Sequence, residues 1–385
     1  MGAAAARARP RIAPLHPAHQ HRHGHRHQLS PQPPQPQRLG LPRTSRARLS
    51  RRWQSYVTIE GGESLVVAME GGREESLHSG EILHEDEEEA LRFEDGFKME
   101  VLHSRPKGPI AVRPSPVVFI HGSFHSAWCF REHWMGLFAS RGYESYSISL
   151  RGTSKSPDPL SGEIKAPSVE QHAIDVMRFL RVKGMLSDEK QKPVIVAHSF
   201  GGLVAMKVME GLAERIGGLV LMCSVPPSGN GPMTSRFVQS RGWETVWDIT
   251  RGFVFKDAAK EAELCRRFFF SPELDDFDVE RYRKRFAKDS DPFFDLSSVQ
   301  RRLPSRLQNS DGTASWAKDN PGVARLVIGA KEDFLVDQEG VEETARFLGV
   351  NKPVLVDSAH DVMLDVNQAA VGNLIIDWIN ANRNS

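Results

Sequence analysis

The 385-residue chain contains few cysteines and no long run of hydrophobic residues. Its three cysteines, Cys129, Cys223 and Cys265, are too few and too widely separated for a disulfide framework or a metal site. This use of cysteine fits a reducing compartment. No stretch approaches the roughly 18 uninterrupted apolar residues of a transmembrane helix, so we expect no membrane span.

The first 59 residues lack acidic residues and lysine, yet they contain 11 arginines. They also hold the run HQHRHGHRHQ, which can bind metal in principle, and the Pro/Gln-rich run SPQPPQPQ. Such a segment cannot bury enough apolar surface to offset the entropy that ordering would cost. The acid-free, arginine-rich composition is typical of an organelle transit peptide, which we assign to residues 1–55.

The charge balance of the chain changes when this leader is set aside. The whole sequence has 50 basic and 49 acidic residues, and subtraction of the 11 arginines leaves 39 against 49, a net charge of about −10. An acidic protein surface argues against nucleic acid and anionic membrane surfaces as partners.

The alternation typical of an α/β fold begins near Gly96. Upstream, residues 56–95 include the acidic stretch EILHEDEEEALRFEDG, and we interpret them as an N-terminal extension whose acidic part is a solvated linker or an edge element. Downstream, short apolar runs rich in β-branched residues alternate with helical patterns. This pattern predicts a mainly parallel sheet with helices on both faces, formed by residues 96–225 and 322–385.

One stretch, from Pro226 to Pro321, interrupts the alternation. It contains 10 of the chain's 20 phenylalanines, and its pattern is mostly helical with irregular joins. Because it starts after one predicted strand and ends before the next, it is an insertion over one edge of the sheet rather than a separate domain. We predict that residues 226–321 form a helical lid.

The segment PVIVAHSFGG places Ser199 between a predicted strand and a predicted helix. A serine at this junction projects from the carboxyl edge of the sheet, and the N-terminus of the following helix favours negative charge that develops there. Gly201 and Gly202 allow a tight turn, whereas Ala197 stands where the G-x-S-x-G pattern has its first glycine. Ser199 is therefore a candidate nucleophile.

A serine nucleophile requires a general base and an acid that orients the base. Asp333 lies in the loop after the predicted strand ARLVIGA, and His360 lies in the loop after the next strand, KPVLVDS. Since parallel strands end at the same edge of a sheet, we expect both side chains beside Ser199. Glu332 and Asp337 are the nearest rival acids, and we prefer Asp333 for its distance from the strand end.

The segment FIHGSFHSAW, which closes another predicted strand, supplies the fourth part of the predicted site. Two backbone N–H groups stabilise the oxyanion in such an arrangement, and we assign them to Ser123 in this turn and to Phe200 after the nucleophile. We expect the side chains of Phe124, His125 and Trp128 to border the substrate pocket, although Trp128 is equally well explained as helix core.

Together, the segments HGSFHSAW, SLRGTSKS, VAHSFGG, GAKEDFLV and SAHDVMLD resemble the α/β-hydrolase superfamily, from about Phe97 to the C-terminus. HGSFHSAWCF and HSFGG are most similar to the plant esterase and hydroxynitrile-lyase branch, whereas SAHDVMLD is similar to generic members. In SISLRGTSKS, Ser149 and Ser154 replace an Asp and a Gly of many members, so the pocket rim differs. The plant resemblance favours the chloroplast as the destination of the leader, and its high arginine content makes the mitochondrion the alternative.

A serine rather than an aspartate at the elbow implies, by this resemblance, acyl transfer to water. The expected protein is a serine hydrolase of the carboxylesterase or lipase type, which cleaves an ester or thioester of a small to medium hydrophobic substrate through an acyl-enzyme. The alternatives are a ligand-binding receptor on this fold with little turnover and a lyase on the same scaffold. The resemblance implies no cofactor and no metal, and the expected partner is a small-molecule ester.

We predict that residues 1–55, fused to a fluorescent protein and expressed in plant cells, direct the fusion into plastids, or otherwise into mitochondria. The reason is the acid-free, arginine-rich composition of this segment. Fluorescence microscopy measures the outcome, and a fusion in which Arg7, Arg9 and Arg11 are replaced by Glu serves as the control that stays in the cytosol. Cytosolic fluorescence of the unaltered fusion contradicts both destinations.

Overall fold

The computed structural model describes residues 84–107, 114–158, 167–289 and 302–382 of the chain. The predicted transit peptide and the first part of the predicted extension lie outside the described residues. Phe293 and Phe294, which belong to the phenylalanine-rich insertion, lie outside them as well.

An eight-stranded sheet forms the centre of the described structure. Its strands are β1 (His84–Arg92), β2 (Lys98–Pro106), β3 (Val117–Ile120), β4 (Ser145–Ile148), β5 (Val194–His198), β6 (Gly218–Met222), β7 (Ala324–Ala330) and β8 (Val354–Val356). They are ordered β1-β2-β4-β3-β5-β6-β7-β8. β2 runs antiparallel to β1 and β4, and all other neighbours pair in parallel, so the predicted mainly parallel sheet is confirmed.

Helices cover both faces of this sheet and create two hydrophobic cores. The helices are α1 (Trp128–Arg131), α2 (Trp134–Ser140), α3 (Val169–Val182), α4 (Phe200–Leu212), α5 (Asn230–Val254), α6 (Ala262–Phe269), α7 (Asp276–Asp289), α8 (Ser315–Asp319), α9 (Gln338–Leu348) and α10 (Gln368–Ala381). Side chains of a strand alternate between faces, so in β5 Ile195 contributes to the core under α3, α4 and α9, and Val196 to the core under α1, α2 and α10. The central strands are buried along their length, as parallel strands covered on both faces should be.

The part of the acidic stretch from His84 to Arg92 forms the edge strand β1 and not a linker. β1 pairs with β2 along its whole length, and most of its side chains are exposed. Several of its glutamates face cations, as Glu87 faces Arg105 at 2.7 Å. Exposed charge on an edge strand discourages pairing with another chain. Of the two interpretations of this stretch, the structure shows the edge element.

The insertion between β6 and β7 is mostly helical within the residues described, as its pattern predicted. α5, α6 and α7 follow one another along the chain in this insertion, and α8 precedes β7. α5 is interrupted at Gly242, where φ is 81°, a conformation that glycine adopts without the steric penalty of a Cβ atom. Across the described ranges, we find no helix that combines the length and the hydrophobicity needed to cross a membrane.

Candidate functional site

Three polar side chains meet at the carboxyl edge of the sheet. Ser199 directly follows β5, Asp333 lies three residues after β7, and His360 lies four residues after β8. Because these strands run parallel, their following loops open on the same edge, where ligands bind in sheets of this kind. The structure therefore brings together the three side chains that the sequence singled out.

Ser199 occupies a strained turn between β5 and α4. Its φ of 51° and ψ of −120° are rare for any residue other than glycine. The N–H of Ser199 donates to the carbonyl of Met222 at 3.0 Å, and its carbonyl accepts from the N–H of Val225 at 3.2 Å. The turn also presses against the end of β3, because a Cβ atom on Gly201 would lie 2.5 Å from the carbonyl oxygen of His121. Only glycine fits at position 201.

The three side chains form a continuous chain of hydrogen bonds. The Oγ of Ser199 lies 3.0 Å from Nε2 of His360, and Nδ1 of His360 lies 2.9 Å from each carboxylate oxygen of Asp333. Since an ionised carboxylate only accepts, Nδ1 carries the ring proton and Nε2 accepts from the serine hydroxyl. Oδ1 of Asp333 is itself held by the N–H groups of Leu335 and Val336 at 2.8 and 2.9 Å. This geometry lets Nε2 remove a proton from Oγ.

Asp333 also governs the charge state of His360. The imidazole is 2% exposed, and burial alone lowers the pKa of a histidine. The Asp333 carboxylate, its hydrogen bond to the ring and the charge of Asp361 together outweigh burial and raise the pKa of His360 above its ordinary value. His360 is therefore a stronger base than its burial alone would allow.

The two rival acids have other surroundings. Asp337 begins α9, where it accepts from the N–H of Gly340 at 3.0 Å, and its carboxylate pairs with Arg236 at 2.5 and 2.7 Å. Glu332 is exposed. Of the three acids considered, Asp333 is the one in hydrogen-bond contact with His360.

The two predicted oxyanion donors flank the serine. Phe200 is the first residue of α4, so its N–H lies at the positive end of the helix dipole. Ser123 lies in the turn after β3, directly after Gly122. A Cβ atom on Gly122 would approach Cβ of Ser199 to 2.8 Å, so this turn packs against the serine. Both backbone segments therefore lie close to Ser199, and the role of their N–H groups as oxyanion donors stays a prediction.

A neutral histidine steadies the turn after β3. Nδ1 of His121 donates to the carbonyl of Gly122 at 2.8 Å, and its Nε2 accepts from the N–H of Leu150 at 2.9 Å. Burial lowers the pKa of His121 to about 3, so the ring remains neutral and keeps this arrangement of donor and acceptor. His121 thereby ties the end of β3 to the loop that follows β4.

Two of the predicted pocket residues contact the insertion. The ring of Phe124 packs edge-on against Phe253 and Phe269, with ring centroids 5.1 and 5.6 Å apart. The indole N–H of Trp128 donates to the carboxylate of Asp289, at the end of α7, at 2.5 Å. Contact of Phe124 and Trp128 with a substrate stays a prediction.

The third predicted pocket residue, His125, belongs to a second buried polar cluster with His198 and Asp361. Nε2 of His125 lies 2.8 Å from Oδ2 of Asp361, and Nε2 of His198 lies 3.7 Å from Oδ1 of Asp361. Sequence analysis did not assign His198 or Asp361. The available signal was their position, since they directly adjoin Ser199 and His360 in VAHSFGG and SAHDVMLD. Contact of His125 with a substrate stays a prediction.

Within the part of the chain that the structure describes, two groups of buried side chains lie close enough together to be considered as metal ligands. In each group the potential ligand atoms lie within 4.8 Å of one another, and hydrogen bonds already join members of the group. The groups are His125, His198 and Asp361, and Cys223, Asp333 and His360.

Comparison with known proteins matches the part of the chain that contains this site. The model of the alpha/beta hydrolase family matches residues 117–372, which include all strands from β3 to β8 and the residues Ser199, Asp333 and His360.

Relatives of this chain include named esterases. Methylesterase 7 from Arabidopsis thaliana is 23% identical over 221 residues, which are 57% of this chain and 78% of that protein. The carbendazim hydrolyzing esterase of Nocardioides sp. (strain SG-4G) is 29% identical over 117 residues, which are 30% of this chain and 45% of that protein. Among solved structures, the esterase EaEST from Exiguobacterium antarcticum is 15% identical and covers 76% of this chain and 98% of its own, with a TM-score of 0.54, a likeness of fold.

We predict that Asp333→Asn lowers the pKa of His360. The substitution removes the charge that contributes most to raising this pKa, while burial continues to favour the neutral ring. Titration of the His360 ring by NMR measures the change, and Asp337→Asn, which removes a carboxylate paired with Arg236, is the matched control that leaves the titration in place. An unchanged pKa of His360 in Asp333→Asn would show that a group other than Asp333 keeps the protonated ring stable.

Proposed function

This chain belongs to the alpha/beta hydrolase family, and we propose that it is a serine hydrolase of the carboxylesterase or lipase type, which cleaves esters through an acyl-enzyme. The observation that carries the proposal is the hydrogen-bonded chain from Ser199 through His360 to Asp333. A hydroxyl, an imidazole and a carboxylate in this order suit nucleophilic attack on an acyl carbon.

In the first proposed step, Oγ of Ser199 attacks the carbonyl carbon of the ester while Nε2 of His360 takes the hydroxyl proton. The carbonyl oxygen becomes an oxyanion, which the N–H groups of Phe200 and Ser123 stabilise. Asp333 keeps Nδ1 protonated and balances the positive charge that forms on the ring. The tetrahedral intermediate then collapses, the alcohol leaves with the proton from His360, and the acyl group remains on Ser199.

In the second proposed step, water replaces the alcohol. His360 takes a proton from the water as its oxygen attacks the acyl carbon, and the same two N–H groups stabilise the second oxyanion. The bond to Oγ of Ser199 breaks as His360 returns the proton to this oxygen, and the carboxylic acid is released. The enzyme is then restored with its hydroxyl and its neutral imidazole.

The choice of an ester as the substrate bond has two sources of support. The two named relatives, Methylesterase 7 and the carbendazim hydrolyzing esterase, are both called esterases. The residue at the strained turn is a serine, whose acyl-enzyme is an ester that water can hydrolyse.

We propose further that the insertion is a lid whose aromatic side chains receive an apolar part of the substrate. Phe253 and Phe269 pack against Phe124 beside the turn after β3, and the ring centroid of Phe269 lies 6.2 Å from that of His360. Ser199 is only 8% exposed, and these aromatic rings are the part of the insertion that lies nearest to His360 in the proposal.

We predict that Ser199→Ala abolishes ester hydrolysis and covalent labelling by a fluorophosphonate probe, because Oγ is the proposed nucleophile. The comparison variant is Ser224→Ala, which removes another buried hydroxyl near the turn. Gel fluorescence measures labelling, and release of alcohol from an ester panel measures turnover. Labelling of Ser199→Ala at the native level would place the nucleophile elsewhere, and labelling without turnover in the native protein would favour the receptor alternative.

We predict that the native protein prefers octanoyl to acetyl esters and that Phe253→Ala reduces this preference about tenfold. Loss of an aromatic contact with an acyl chain costs about 1.5 kcal/mol of binding, which corresponds to that factor. Specificity constants for the two esters measure the preference, and Phe277→Ala, whose ring is 75% exposed on α7, is the control. Equal specificity constants for the two esters in the native protein would mean that the insertion is a structural cap only.

A further inference from the structure

We propose that His125 and Asp361 form a buried positioning pair that holds the oxyanion turn in register with His360. The pair joins the loop after β3, which contains Ser123, to the loop after β8, which contains His360. The inference rests on the proposed esterase function, because it concerns the geometry of the groups that act in that reaction.

The hydrogen bonds of His125 engage both of its ring nitrogens. Nδ1 lies 2.6 Å from the carbonyl oxygen of Ser123, and Nε2 lies 2.8 Å from Oδ2 of Asp361. A carbonyl oxygen only accepts, so Nδ1 carries a proton and donates to Ser123. A second proton lies between Nε2 and the carboxylate, and the charge-assisted form is an imidazolium beside an ionised Asp361.

Backbone hydrogen bonds hold Asp361 in place next to the proposed base. Asp361 directly follows His360, its N–H donates to the carbonyl of Phe269 at 2.9 Å, and its carbonyl accepts from the N–H of Leu364 at 2.7 Å. Because Asp361 and His360 are adjacent, a contact that holds the Asp361 side chain also limits movement of the His360 backbone. The bond from Nε2 of His125 makes this contact from the oxyanion turn.

His198 supplies a second connection between the same loops. Its Nε2–H donates to the carbonyl oxygen of His360 at 2.9 Å, and burial lowers the pKa of His198 to about 3, so this ring is neutral. Since His198 directly precedes Ser199, this bond joins the backbone of the proposed nucleophile to that of the proposed base. With the His125–Asp361 pair, the loops of nucleophile, base and oxyanion donor are linked through buried hydrogen bonds.

Burial stabilises the hydrogen bond between His125 and Asp361 against exchange with solvent. The side chains of His125 and Asp361 are both 0% exposed, and the rings of Phe286 and Phe269 lie 4.6 and 6.1 Å from the ring of His125. In such surroundings a lost hydrogen bond is not replaced by one to solvent, and a charge left alone is strongly disfavoured. The proposed reaction needs its donors placed to within about 0.5 Å, which a bond of this kind enforces.

The same three side chains, His125, His198 and Asp361, also have the composition of a metal site. Their hydrogen bonds favour the positioning role, because His125 and Asp361 contact each other directly and Nε2 of His198 donates to a carbonyl oxygen. A common ion would require these bonds to break. Oδ1 of Asp361, which has no hydrogen-bond partner among the described residues, instead lies 3.7 Å from Nε2 of His198.

The test removes the pair without leaving a buried charge. In the double variant His125→Phe/Asp361→Leu, both groups become apolar and similar in size, so we expect a folded protein. We expect kcat on a short-chain ester to fall about 100-fold, as for a misplacement of about 1 Å at a reacting centre, while KM changes less than threefold. Asp361→Asn, whose amide can donate to a neutral Nε2 of His125, should recover most of the lost kcat.

The matched control is Tyr143→Phe. Tyr143 is buried at the opposite edge of the sheet, just before β4, and its hydroxyl donates to Asn380 at 2.5 Å. This variant should lower the melting temperature and leave kcat and KM unchanged. If the double variant behaves in the same way, the pair is structural only and the inference is wrong. A raised KM with native kcat would also overturn it, since that result would mean that His125 contacts the substrate.

A spectroscopic readout tests the pair without turnover. In the Ser199→Ala protein, nitrogen NMR should show that both ring nitrogens of His125 are in hydrogen bonds, and Asp361→Leu in that background should remove the hydrogen bond at Nε2. A His125 whose Nε2 makes no hydrogen bond beside an intact Asp361 overturns the inference. Activity that survives in Ser199→Ala would instead refute the proposed function, so the two failures are distinguishable.

Discussion

The pairing of β5 between β3 and β6 constrains the position of every group proposed to act in the reaction. Ala197 lies opposite Ile120 on one side and Leu221 on the other, so the three strands end together. A shift of β5 by one residue would exchange its two faces and turn Ser199 away from the loops after β7 and β8. The close approach of the turn after β5 to the end of β3, which only glycine at position 201 allows, locks that register.

Three buried histidines, His121, His198 and His360, differ in the groups to which they bond. His121 and His198 bond to backbone groups, and burial lowers the pKa of each to about 3. His360 is buried to a similar degree, yet the carboxylate of Asp333 raises its pKa. One fold therefore holds two neutral histidines that bond to backbone groups and one basic histidine that can take up a proton. The contact of His360 with Asp333 raises the pKa of the basic one.

Sequence analysis could identify Ser199, Asp333 and His360 because each follows a predicted strand, and parallel strands end at one edge. It could not assign a role to Asp361, since the contact of this side chain with His125 in the loop after β3 depends on tertiary packing. It left the acidic stretch of β1 open between linker and edge element, because edge strands carry little apolar pattern. The mostly helical insertion was readable from composition, whereas the contact of Phe253 with Phe124 depends on tertiary packing.

Backbone strain at Ser199 lowers the stability of the folded state. Glycine would adopt a φ of 51° with little steric penalty, whereas a side chain at this position costs on the order of 1 kcal/mol. This cost places Oγ of Ser199 3.0 Å from Nε2 of His360, which is the contact that the proposed reaction uses.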